Sequence, residues 1–243
     1  MVLLVFAGAA AEFALNRAVD WLFFTGKLPN DPIGRFFVTA SYAQRIVFAD
    51  EATASSTLDR IRAAHASVER RRGQNIPEWA HRDVLYMLID YSERAHGLLA
   101  RPLTAPEQEE LYDVFYRVGR GLRIPDLPTS YGAWKTDRDA HMRSDLLHGE
   151  GTTALYARYR DALGPWRYRL LLRLQALLAP DQVRRLLGLR SAEWLRPLRH
   201  VYPVLVRAGL RTMIQKILTP PEHLPAVRKL DRPAPFTPTA APL

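Results

Sequence analysis

Apolar residues recur at three- and four-residue spacing through most of this chain, and no segment alternates convincingly in the two-residue period of a half-buried strand. The pattern predicts an all-α fold. A first helix is expected from near Met1 to Phe24, carrying Phe13, Val19, Trp21, Leu22, Phe23 and Phe24. Thr25 to Pro32 reads as a loop, because two prolines and a glycine interrupt every period. A second helix runs from about Ile33 towards Ala49, with Arg35 and Thr39 one turn apart on a shared face. The helix from Asp50 to Gly73 is the one around which the fold is expected to be organised. Leu58, Ile61, Ala64, His65 and Val68 share one face of it, Asp50 is its expected N-cap, and Gly73 stops it after a basic last turn. On this pattern His65 points at the core.

Further helices are expected from Pro77 to about Ala100 and from Thr104, which forms a capping-box pattern with Glu107, to about Arg123. Others should span Tyr131 to Leu147, Thr152 to Leu163, Pro165 to Leu178, Pro180 to Leu187, and Ser191 to Leu218, the last bent near Pro197 and Pro203. Residues 1–219 should form one helical domain. After Pro220 and Pro221 the proline-rich tail, residues 220–243, is expected to be extended or disordered.

Composition narrows the chemistry. The 243 residues contain no cysteine, so disulfides, thiolate metal sites and a cysteine nucleophile are excluded, and any iron must be held by His, Asp, Glu or Tyr. The apolar N-terminal run is interrupted at Glu12, Asn16 and Arg17 and is too short to span a bilayer. It also has no basic leader segment, so it reads as a buried first helix, with a membrane-surface helix as the alternative. The net charge of +9 is concentrated in one part of the chain: Arg158 to Lys216 holds thirteen Arg or Lys against Asp161, Asp181 and Glu193. Those basic residues are interleaved with Leu and Val at helical spacing, as on ordinary solvated helix faces, and no nucleic-acid module is present, so no nucleic-acid partner is expected. Glycine-rich phosphate loops, nucleophile elbows and internal repeats are also missing from the sequence.

Several residue groups could carry chemistry. Glu78 with His81 and Glu93 with His96 have the Glu-x-x-His spacing of di-iron bundles. They lie on one expected helix, about 22 Å apart, whereas two metals must converge to about 4 Å, so both pairs read as solvent-facing. His141, Asp145 and His148, with Glu150 nearby, could share a face and hold zinc or iron, although an exposed polar helix end has the same letters. Tyr86 with Asp90, and Tyr91 with Glu93, are weaker acid–base candidates. His65 is either a core histidine bonded to a backbone carbonyl or a cofactor ligand, and spacing alone leaves both open.

The motifs around His65 add a resemblance. The run Asp31 to Thr39, then Val47-Phe48-Ala49-Asp50, then Arg62-Ala63-Ala64-His65-Ala66-Ser67-Val68, resembles the core signature of the MpaB and latex-clearing-protein family. The later blocks Asp83 to Asp90, Leu103 to Glu107, Gly119 to Ile124 and Pro128 to Tyr131 follow in the same order. The resemblance implies a single globin-like bundle holding haem b, with His65 of an Arg-x-x-His motif as the iron ligand. It implies Arg62 as a propionate or neighbouring partner, and Arg35 and Thr39 as haem-pocket residues with a catalytic role. Glu69 stands where latex-clearing proteins have a second arginine, and Asn16-Arg17 stands where relatives have a His-Pro pair. Rubber cleavage itself is therefore not implied.

The expected function is thus a haem-dependent oxygenase acting with dioxygen or peroxide on a small apolar, isoprenoid-like substrate. Cytoplasmic placement is expected, with peripheral membrane association as the alternative. The competing readings are a haem-binding sensor or carrier without turnover, a non-enzymatic helical membrane-surface or partner-binding protein, and a non-haem metal enzyme using His141, Asp145 and His148.

Overall fold

Helix α5, Glu78–Leu99, has large apolar or aromatic residues all around its circumference, and a helix of that kind must be covered on more than one side. The computed structural model describes residues 1–24, 32–190 and 219–231, together with Gly209, Met213 and Lys216, and in it α5 is the central element. Around it are α1 (Val2–Phe13), α2 (Asp20–Phe24), α3 (Pro32–Phe48), α4 (Glu51–Arg72), α6 (Ala105–Gly121), α7 (Tyr131–Ser144), α8 (Glu150–Leu178), α9 (Asp181–Leu186) and α10 (Leu224–Asp231). Among the described residues there is no strand, only an isolated bridge between Asn16 and Leu146, so the fold is all-α as expected. None of the described helices is long and apolar enough to cross a membrane.

One side of α5 presents Met87, Tyr91 and Ala95 to Val5 and Ala9 of α1 and to Leu178 of α8. The other side presents Leu85, Tyr86 and Ile89 to Tyr112 of α6, to Ile124 and to Trp134 of α7. Gly8 lets α1 and α5 approach closely, since a Cβ at that position would stand 2.2 Å from the Tyr91 ring.

The N-terminal expectation is corrected at Ala14. Helix α1 ends at Phe13, and the segment before α2 turns because Asn16 makes bonds that a continuous helix could not. The Asn16 side-chain oxygen accepts from Ala18 N at 2.9 Å, and its amide donates to Asp83 Oδ2 at 2.7 Å. Main-chain bonds from Arg17 N to Asp145 O, 3.0 Å, and from Leu147 N to Leu15 O, 2.7 Å, tie this turn to the end of α7. The expected break after Leu163 is a kink inside α8, where Gly164 takes φ 70° before Pro165. The tail expectation also changes: Pro221–His223 forms a 3-10 turn and Leu224–Asp231 a helix that docks on α3, with the Phe37 and His223 ring centroids 5.7 Å apart. The loop at 25–31, most of the expected helix at 191–218, and residues 232–243 lie outside the described residues.

The expected organising helix, α4, is peripheral. It has Asp50 as N-cap, accepting from Thr53 N at 2.8 Å, and Gly73 as its left-handed C-cap at φ 68°. Its only fully buried residues are Thr57 and Leu58, and Ala64 is exposed. Too few large apolar side chains lie along it to make it central.

A buried ion network crosses the centre. Arg138 of α7, 3% exposed, donates to both Glu12 oxygens at 2.5 and 2.6 Å and to Asp90 of α5 at 3.1 Å, and Arg94 also donates to Asp90 at 2.8 Å. Removing Arg138 alone would leave the buried Glu12 carboxylate without its partner and Asp90 with Arg94 only. Arg138→Met should therefore lower unfolding stability by about 3–5 kcal/mol in denaturant titration. Burial pushes the Asp90 carboxyl up, but the Arg94 and Arg138 guanidiniums outweigh it and hold Asp90 below its ordinary 3.8. Its contribution is fully present above that unfolded value and is lost as pH falls through the lower folded value. Glu12 has the opposite slope, because burial raises its carboxyl despite Arg138. With Glu12 intact, Asp90→Asn should flatten the acid limb of a Tm–pH curve below about pH 4.

Candidate functional site

Helix α4 places His65 on its inner, half-buried face, in line with Leu58, Ile61, Val68 and Arg72. His65 does not enter the central core. Its ring lies beside that of His81 on α5, with centroids 4.8 Å apart and planes tilted by 38°. Burial pushes the His81 imidazole below its ordinary value, against the pull of Glu69 and Glu78, and so favours its neutral form. His81 is thus not solvent-facing. Glu93 is also engaged, accepting from Gln108 and from the Tyr131 hydroxyl, while His96 Nδ1 lies 2.8 Å from Arg101 O. The Glu-x-x-His pairs are parts of separate packing contacts.

The other residues named from sequence divide by helix. Arg62 donates from Nη1 to Gly121 O, 2.7 Å, and from Nη2 to Asp59 Oδ1, 2.5 Å, which joins α4 to the end of α6. Thr39 is exposed on α3, which packs against α4, and Arg35 lies one turn earlier with its side chain outside those described. Sequence reasoning passed over Arg72. Its Nη2 donates to Asp20 at 2.5 Å and its guanidinium lies 3.9 Å from the centre of the Trp21 ring. Its Nη1 is buried and has no acceptor among the described residues. The available signal was the spacing: Arg72 is seven residues from His65, two turns along the same face.

A second group of ligand-type residues lies on the far side of α5. His141 Nδ1 is 2.6 Å from Asp83 Oδ1 and 2.9 Å from Asp145 Oδ2, and the three donor atoms lie within 4.8 Å of one another. His141 and Asp145 were anticipated together. The third member is Asp83, because His148 is exposed beyond the end of α7. The signal for Asp83 was a carboxylate in a buried register of an apolar helix, between Ala80 and Leu85. Of the acid–base candidates, Tyr86 donates to Asp137 Oδ2 at 2.6 Å and Asp90 belongs to the Arg138 network, so they do not form a pair.

A search among curated proteins finds no match to this chain. A family model described as "ER-bound oxygenase mpaB/B'/Rubber oxygenase, catalytic domain" matches residues 2–208. Since that span takes in every helix from α1 to α9, with both candidate residue groups, the chain belongs to this family of oxygenase catalytic domains.

Proposed function

We propose that this member of the family is a haem b-dependent oxygenase in which His65 would hold the iron, acting with dioxygen or peroxide on a small apolar, isoprenoid-like substrate. The observation that carries the proposal is the pairing of two groups on one face of α4. His65 offers an imidazole there, and Arg72, two turns on, holds a buried N–H with no acceptor among the described residues. A guanidinium whose Nη2 is held by Asp20 can offer its remaining Nη1–H to a carboxylate such as a haem propionate. The donor set therefore fits the cofactor, which when bound supplies the oxidative chemistry.

The chain's own residues supply placement. Arg62 fixes α4 against Gly121 and with it the position of His65. His81 covers part of the His65 ring, and its neutral form adds no positive charge beside a metal ligand. Arg35 and Thr39 are the pocket residues of this reading, on the neighbouring helix α3.

Protein produced with a haem precursor should show a Soret band that is lost or shifted in His65→Ala. A featureless spectrum, or a band unchanged by the substitution, would overturn the assignment. Arg72→Gln should keep the band position but weaken haem retention about tenfold in a competition titration, as expected for loss of a charge-assisted bond. Asp20→Asn, which removes only the existing partner of Arg72, should leave haem retention intact.

A further inference from the structure

We propose that Asp83, His141 and Asp145 form a binding site for one divalent transition-metal cation, separate from His65 and independent of the haem reading. Two helices meet here: α5 brings Asp83, and α7 brings His141 and, at its C-cap, Asp145. The Asp83 and Asp145 side chains are 3% and 12% exposed, so two carboxylates are largely withdrawn from water against a single imidazole.

Hydrogen bonding accounts for only one of the two carboxylate contacts of the imidazole. His141 Nδ1 carries at most one proton, yet a carboxylate oxygen approaches it from each of two residues, at 2.6 and 2.9 Å. Only the Asp83 contact has hydrogen-bond geometry, so Asp145 Oδ2 faces the same nitrogen without a bond from it. The charges do not balance either, since even an imidazolium leaves one of the two buried carboxylates uncompensated. The cation of the neighbouring network, Arg138, is directed at Glu12 and Asp90. A divalent ion between the three atoms resolves both problems: the Nδ1 lone pair and one oxygen from each carboxylate become ligands.

The spacing suits such an ion. Ligands at about 2.1 Å in an octahedral arrangement are separated by about 3 Å along each edge, so the observed contacts open by only a few tenths of an ångström. Mixed nitrogen and carboxylate donors select zinc, manganese or iron(II) over magnesium or calcium, which prefer all-oxygen sites.

The surrounding residues are arranged as metal sites require. The free oxygen of Asp83 accepts from the buried Asn16 amide at 2.7 Å, which leaves Oδ1 directed at the site. On the opposite side of the imidazole, Nε2 faces Asp137 Oδ2 at 3.8 Å, and that carboxylate is itself held by the Tyr86 hydroxyl at 2.6 Å. A carboxylate facing the far nitrogen favours a proton on Nε2 and leaves Nδ1 free to ligate. The Arg17-to-Asp145 main-chain bond holds the third ligand in place.

The test uses the full chain, stripped with EDTA, dialysed and titrated with Zn2+, with retained metal counted by mass spectrometry after gel filtration. One Zn2+ per chain and a raised Tm are expected. Asp145→Asn and His141→Ala, both checked for unchanged helix content, should weaken Zn2+ binding at least tenfold. Asp137→Asn should weaken it less, and His148→Ala not at all. His65→Ala should keep the zinc, so the outcome here is read apart from that of the Soret experiment. A folded wild-type chain that retains no Zn2+, or binding unchanged in His141→Ala and Asp145→Asn, would overturn the proposal and identify the cluster as a hydrogen-bonded structural contact.

Discussion

Arg138 is the constraint on which the rest of this structure depends. A guanidinium 3% exposed is stable in a helical core only when its donors meet anions, and here they meet Glu12 from α1 and Asp90 from α5. Three helices distant in sequence are thereby fixed in rotation and height relative to one another. Apolar packing alone would allow α1 and α7 to slide along α5, because Leu, Val and Ala contacts are non-directional. A two-armed bond to Glu12 does not allow this.

The two candidate regions follow from that arrangement. With α7 set in height, His141 reaches Asp83, and with α1 set, the turn after it brings Asn16 to the other Asp83 oxygen. On the opposite side, α5 presents His81 to α4, which is anchored independently by Arg62 at the end of α6. His81 and Asp83 are two residues apart on one helix and so point in nearly opposite directions. A single rigid helix thus separates the His65 face from the carboxylate cluster. This is why the two proposed sites can be tested separately.

Where helices begin and end was legible wherever a local signal decided it. The Asp50 cap, the left-handed Gly73 and the Thr104–Glu107 capping box all stand as read, because each depends on residues within four positions of one another. The first helix was misread for the converse reason: it ends early because Asn16 finds Asp83, sixty-seven residues away, and no local pattern carries that partnership. The helical tail at Leu224–Asp231 is similar, since its docking on α3 is a long-range contact that outweighs the bias of nearby prolines.

The sequence by itself determined the helical class, the capping of the individual helices, the cysteine-free chemistry and the family motif around His65. Periodicity, capping and motif spacing are local properties, so a linear reading recovers them. Only the tertiary structure decided which helix is central, that His65 lies beside His81, and that Asp83 joins His141 and Asp145. Glu12, Asn16 and Asp83 show why. In the sequence they are polar interruptions of apolar stretches, whereas in the fold they are the buried groups that hold helices together. Hydrophobic pattern records how much surface a residue should bury, but the partner that makes burying a charge tolerable is set by the three-dimensional packing.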